Sequence, residues 1–205
     1  MRVLRTAPVT LAYVAAATVT TALLASLGDH VDDHVLLAVS TNLHQLGHVP
    51  LRVLLASAFW LGSGWTDLLL WAALFGLVVL PVELRLGSRR TLVAFAAGHV
   101  GASLLVAGGL WLALRLNSVD PAVARAKDVG ASYGFLAVAA VAACLLPTRL
   151  RPAYLGLLCG YVVLGVATSG SFTDYGHLTA TAIGLACYPL VRPVTSRRCP
   201  QPSRS

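Results

Sequence analysis

The charged residues of this chain are so sparse that the sequence falls into long uncharged apolar runs, and these constrain the fold more than any other feature. The runs are Ala7 to Gly28, Leu68 to Val82, Thr91 to Leu114, Val129 to Thr148, Pro152 to Thr173 and Tyr175 to Val191. About 20 predominantly apolar residues suffice for a helix to cross the hydrocarbon core of a bilayer. Within that core every backbone amide must be bonded inside its own segment, so each run is expected as a helix. Only 11% of the 205 residues are charged and 57% are hydrophobic, with a mean hydropathy of +0.77. Soluble domains carry about 25% charged residues, so these figures exclude a water-soluble globular enzyme. They exclude a disordered chain as well, because disorder goes with high polarity and charge. The expectation is an all-α polytopic membrane bundle of six transmembrane helices. It forms one domain over residues 1–192, and the basic, Pro- and Ser-rich residues 193–205 read as a disordered cytoplasmic tail.

One segment fits no span. Asp29 to Thr66 opens with Asp29, Asp32 and Asp33, holds four histidines, and has an apolar part, Val49 to Leu61, too short to cross and interrupted by Arg52. It reads as a long external loop with one or two helices lying in the interface. The distribution of basic residues supports this layout, since cytoplasmic segments collect Lys and Arg. With the N-terminus inside, Arg2, Arg5, Arg85, Arg89, Arg90, Arg149, Arg151, Arg192, Arg197, Arg198 and Arg204 are internal. Only Arg52, Arg115, Arg125 and Lys127 are external. The expected product is a multi-pass protein of the cell membrane with both termini cytoplasmic. The net charge of +7 is absorbed by this asymmetry and implies no nucleic-acid partner. Lys127 is the only lysine and Ile183 the only isoleucine, a bias that implies a GC-rich bacterial genome.

The four cysteines, Cys144, Cys159, Cys187 and Cys199, show no CxxC spacing, so neither a disulfide framework nor a zinc knuckle is implied. The run from Ala7 is long for a signal peptide and reads as a retained first span; the Ala22 to Ser26 stretch leaves cleavage open. Glycines and alanines recur at four-residue intervals in the pairs Gly130 and Gly134, Gly156 and Gly160, and Ala180 and Gly184. Such pairs let helix backbones approach closely.

Polar groups at membrane depth are costly and need a reason. Ser132 is expected about one turn inside the outer end of the fourth span, and His177 at matching depth in the sixth. These spans run in the same direction, so if they touch, the imidazole can reach the hydroxyl, as nucleophilic catalysis requires. Each alone has an ordinary explanation, a serine bonded to its own helix and an interfacial histidine. His99, near the middle of the third span, reads as a bundle-facing hydrogen-bonding group, and Asp67 and Glu83 as anchors at the ends of the second. His30 with His34 and His44 with His48 have helical spacing suited to a divalent metal. With no third fixed ligand, a solvated acidic loop is the simpler reading, and neither metal nor cofactor is expected.

Taken in order, these residues resemble the rhomboid family of intramembrane serine proteases, over about Leu51 to Arg192. Glu83-Leu84-Arg85-Leu86-Gly87-Ser88 is similar to the turn that closes the second rhomboid span, Gly130-Ala131-Ser132 to the Gly-x-Ser nucleophile motif, and Gly176-His177 with Ala180 and Gly184 to the motif of the sixth. The resemblance implies a Ser132–His177 dyad without an acid, opening to the outside and cutting single-span membrane proteins near their outer boundary. It also implies that the Ser132 amide contributes to an oxyanion hole. Four positions depart from the family. Tyr133 stands where a glycine usually follows the nucleophile. Asp67 and Trp71 stand near the places of a histidine and an asparagine. Leu136 stands where an aromatic normally supports the histidine, with Phe135 as the substitute. The alternative is a rhomboid-like pseudoprotease that binds transmembrane helices without cutting them; a transporter or metal-binding protein using His30, His34, His99 and the outer loop is a reading from a different class.

Overall fold

The computed structural model describes residues 7–27, 29–62 and 64–191. Helix α1 (Pro8–Leu27) is followed by three short helices, α2 (Asp29–Val39), α3 (Leu43–His48) and α4 (Pro50–Ala56), and a 3-10 turn, Ser57–Phe59. Then come α5 (Gly64–Leu86), α6 (Ser88–Arg115), α7 (Ser132–Ala142), α8 (Arg151–Thr168) and α9 (Phe172–Val191). The chain is thus an all-helical polytopic bundle, as its apolar runs require. Four of the described helices, α1, α5, α6 and α8, are long and apolar enough to cross a membrane. The tail over 193–205 lies outside the described residues.

None of the described helices between α1 and α5 is long and apolar enough to cross a membrane, and the segment is more structured than the one or two helices expected. Asn42 caps α3 by accepting from the Gln45 amide at 2.9 Å, and Pro50 opens α4, where its missing N–H costs no bond. Within α5, Pro81 cannot donate to the preceding turn. The helix widens just before it into a π-turn over Phe75–Val79, with the Leu80 amide bonded to the Phe75 carbonyl. This adjustment leaves Phe75 and Val79 buried. Phe75 stacks on Tyr13 of α1 with ring centroids 3.9 Å apart and meets Phe95 of α6 edge-on at 6.0 Å.

Glu83, expected as an anchor, holds the start of the first helix. Its carboxylate accepts from the Val9 amide at 2.8 Å, the Thr10 amide at 2.8 Å and the Thr10 hydroxyl at 2.7 Å. The first amides of a helix have no intrahelical acceptor, and a negative charge there also meets the positive end of the helix dipole. Gly87 follows in a left-handed conformation, φ 89°, and turns the chain directly into α6.

Helix α7 is shorter than its apolar run. The run begins at Val129, but Gly130 has φ 119° and the helix opens only at Ser132. At the other end it tightens into a 3-10 turn, Ala143–Leu145. Eleven residues rise about 16 Å, roughly half of a ~30 Å hydrocarbon core. Two of the expected small-residue pairs are corrected here. Gly130 lies outside the helix and pairs with nothing across a helix interface, while Gly134 packs alone against the Phe95 ring. Gly156 and Gly160 are exposed, with open space where a Cβ would sit, so that pair makes no close approach. The Ala180 and Gly184 pair does: Ala180 is fully buried, and a Cβ on Gly184 would fall 2.3 Å from the Ala137 carbonyl oxygen.

Candidate active site

Ser132 is the first residue of α7, and its placement is set by the loop before it. Thr41 and Asp128 clamp that loop: the Thr41 amide donates to the Asp128 carbonyl at 3.0 Å, and the Thr41 hydroxyl to the Asp128 carboxylate at 2.8 Å. The Asp128 amide donates in turn to the Ser40 hydroxyl at 2.7 Å. Burial pushes the Asp128 carboxyl above the usual range, and the hydroxyls of Thr41 and Tyr133 oppose that shift. Two residues on, the Gly130 amide donates to the Ser57 carbonyl at 2.8 Å. The left-handed turn at Gly130 then aims the chain into α7, whose leading amides lie beside Ser132.

His177 lies on α9, one turn beyond the helix start. That start is a capping box: Ser171 donates to the Asp174 carboxylate from both its amide and its hydroxyl, at 3.0 and 2.6 Å, and accepts from the Asp174 amide at 3.3 Å. The Ser169 hydroxyl also donates to Asp174. The nearest carboxylate on this helix is therefore engaged in holding the helix end.

Helices α7 and α9 touch along their length. The Tyr133 ring meets the His177 ring edge-on, with centroids 5.7 Å apart at 78°. Gly176 makes room for it, since a Cβ there would lie 2.3 Å from the Tyr133 ring. The aromatic against His177 is thus Tyr133, next to the serine, and not Phe135. Phe135 instead meets Trp71 and Phe75, with centroids at 5.5 and 6.2 Å. Tyr133 thus both follows Ser132 directly and packs against His177. Tyr133 was visible in the sequence, but its role was not, because adjacency to a serine says nothing about which neighbour a ring faces.

Ser132 and His177 line one cavity of about 490 Å³. Its walls are Trp71 and Leu74 of α5, Phe135 and Leu136 of α7, and Tyr154, Leu157, Leu158 and Tyr161 of α8. His177 Nε2 is buried and has no hydrogen bond to any described residue, so its lone pair or proton is uncommitted. Trp71 stands on this wall, whereas Asp67 lies in the first turn of α5. Ser132 and His177 therefore share a chamber without being bonded to each other.

The other singled-out histidines lie elsewhere. His99 is buried on α6 and shares a hydrogen between its Nε2 and the Ser57 hydroxyl, 3.0 Å apart. His48 Nδ1 lies 2.7 Å from the His44 carbonyl oxygen, which commits the nitrogen on the ring side facing its own helix. The His30 side chain lies outside the described residues. No group of three or more metal-binding side chains occurs among the described residues. A family model described as a rhomboid-like protein matches residues 2–197. No curated protein and no solved structure matches the chain.

Proposed function

Since the chain belongs to the rhomboid-like family, we propose that it is an intramembrane serine endopeptidase that cuts single-span membrane proteins with Ser132 as nucleophile and His177 as general base. The observation that carries this reading is the shared cavity: one hydroxyl at a helix start and one uncommitted imidazole nitrogen on the facing helix. His177 Nε2 takes the Ser132 proton as Oγ attacks the scissile carbonyl, then returns it to the leaving amine. The oxyanion forms against the leading amides of α7, which have no intrahelical acceptor. Water then attacks the acyl-enzyme, with His177 again as base. Tyr133 keeps the imidazole upright, and no carboxylate is called on.

A substrate helix would enter from the lipid between α5 and α8, because those two helices supply the outer walls of the cavity. Ser132 and His177 belong at the outer face of the cell membrane, with the N- and C-termini cytoplasmic; the excess of arginine near the other helix ends supports this orientation. A second reading, a pseudoprotease that holds transmembrane helices without cutting them, is favoured by the absence of a hydrogen bond between Ser132 and His177. Labelling by a fluorophosphonate probe separates the two. In detergent, wild type is expected to be labelled and Ser132→Ala and His177→Ala to be silent. A folded wild type that stays unlabelled overturns the protease reading, and crosslinking of membrane helices to Ser132→Ala then tests the binding one.

A further inference from the structure

We propose that His99 is a positioning residue that sets both halves of the site from outside it, with Ser57 as its intermediary to the nucleophile; this rests on the assignment of Ser132 and His177 above. His99 lies outside the cavity that holds Ser132 and lines a separate one between α1 and α6, of about 500 Å³. Its Nε2 shares a hydrogen with the Ser57 hydroxyl, 3.0 Å away, with both residues buried. The carbonyl of that same Ser57 accepts from the Gly130 amide at 2.8 Å, two residues before the nucleophile. His99 thereby fixes the 3-10 turn to which the Ser132 loop is tied. On its other side the His99 ring faces Tyr133, with centroids 6.5 Å apart, and Tyr133 meets His177 at 5.7 Å. One imidazole thus braces the serine through a polar chain and the histidine through a ring.

The polar chain is well suited to this. A buried hydroxyl and a buried imidazole nitrogen have no water to fall back on, so each holds the other in place. The neighbouring Gly98 brings α6 onto α7 at the same level, where a Cβ would lie 2.2 Å from the Ala137 methyl and 3.0 Å from the Tyr133 carbonyl oxygen. His99 therefore stands on the part of α6 least free to move against α7.

The test compares wild type, Ser57→Ala, His99→Ala and His99→Gln as full chains in detergent. Two quantities are read: hydrogen–deuterium exchange of the peptide carrying Gly130, and the rate at which a fluorophosphonate labels Ser132. Ser57→Ala and His99→Ala are expected to speed exchange at Gly130 about fivefold, the loss of roughly one net hydrogen bond. They are also expected to slow labelling through kinact with KI unchanged. His99→Gln, whose amide can share a hydrogen with Ser57, should restore slow exchange but recover labelling only in part, because the ring facing Tyr133 is gone. If His99→Ala does not fold, Ser57→Ala carries the comparison. Unchanged exchange in the folded variants overturns the tether whatever the labelling shows. Faster exchange with an undiminished labelling rate overturns the positioning role. A folded wild type that is never labelled removes the nucleophile assignment itself, and an exchange response that persists would show that this assignment, and not the tether, had failed.

Discussion

Helices α7 and α8 follow each other in the chain, and both are apolar on every side, yet they end in opposite environments. Tyr133, Gly134 and Leu136 to Val141 of α7 are all buried, whereas Val162 is the one buried residue described for α8. Hydrophobicity does not separate them, because lipid is as apolar as the protein interior and gives a leucine no reason to leave it. What separates them is size and length. Helix α7 is rich in alanine and receives Gly98 and Gly184 from its two neighbours, so backbones close in on it from both sides. It is also too short to cross a bilayer alone, so its ends need protein around them. Helix α8 reaches the length of a span, and Gly156 and Gly160 at its centre face nothing, while Gly165 near its end meets the Asp174 side chain. It is held mainly at its first turn, where Arg151 donates to the Leu146 and Cys144 carbonyls at 2.9 and 3.2 Å and to the Tyr188 hydroxyl at 3.2 Å. The fixed helix presents Ser132, and the lightly attached one walls the cavity.

The comparison breaks most severely if the close approaches to α7 are filled. Gly184→Val places side-chain atoms where the Ala137 backbone already stands, and Gly98→Val does the same against the Ala137 methyl. Overpacking of this kind costs about 1–3 kcal/mol or more, so each should lose most of its folded, monodisperse yield, measured by gel filtration. Gly176→Ala is milder for the fold but reaches the site, because it pushes the Tyr133 ring off His177. Misplacement of a catalytic group by about 1 Å can cost up to about 10²-fold, and fluorophosphonate labelling should slow by at least tenfold. Asp128 gives a smaller effect with a defined sign. Burial raises its carboxyl in the folded chain, so the folded state binds the proton more tightly than the unfolded state does. The resulting stability is complete below about pH 4 and is lost as pH rises through the raised value. Asp128→Asn should therefore flatten the fall of Tm between acid and neutral pH; equal slopes in both proteins would contradict the buried carboxyl. At the small end, Gly156→Leu with Gly160→Leu on α8 should change stability by no more than about 0.5 kcal/mol. A large loss there would mean that α8 packs against something on its exposed face.

The helices were legible because uncharged runs report what a bilayer demands of a backbone. Ser132 and His177 were legible because polar groups are rare at that depth, and the structure brings them to one cavity. The extent of α7 was not legible. A run of apolar residues counts composition, and the positive φ of Gly130 that delays the helix start depends on the tie between Gly130 and Ser57. Glycine spacing misled in α8 and informed in α9 for the same reason: the pattern shows that a helix can be approached closely and leaves open whether a neighbour is there. The partnership of Ser57 with His99 joins residues 42 positions apart, and no local pattern marks it.

The grip of Glu83 on Val9 and Thr10 carries a consequence for biogenesis. Glu83 follows Val9 and Thr10 by 74 and 73 residues, so the leading amides of the first helix are made well before the residue that satisfies them. Until then, water or lipid headgroups must bond those amides, and the helix is free to shift in depth. The arrival of Glu83 fixes that depth and joins the first span to the second at one end. The leading amides of α1 therefore have this protein acceptor only once α5 has been made as far as Glu83.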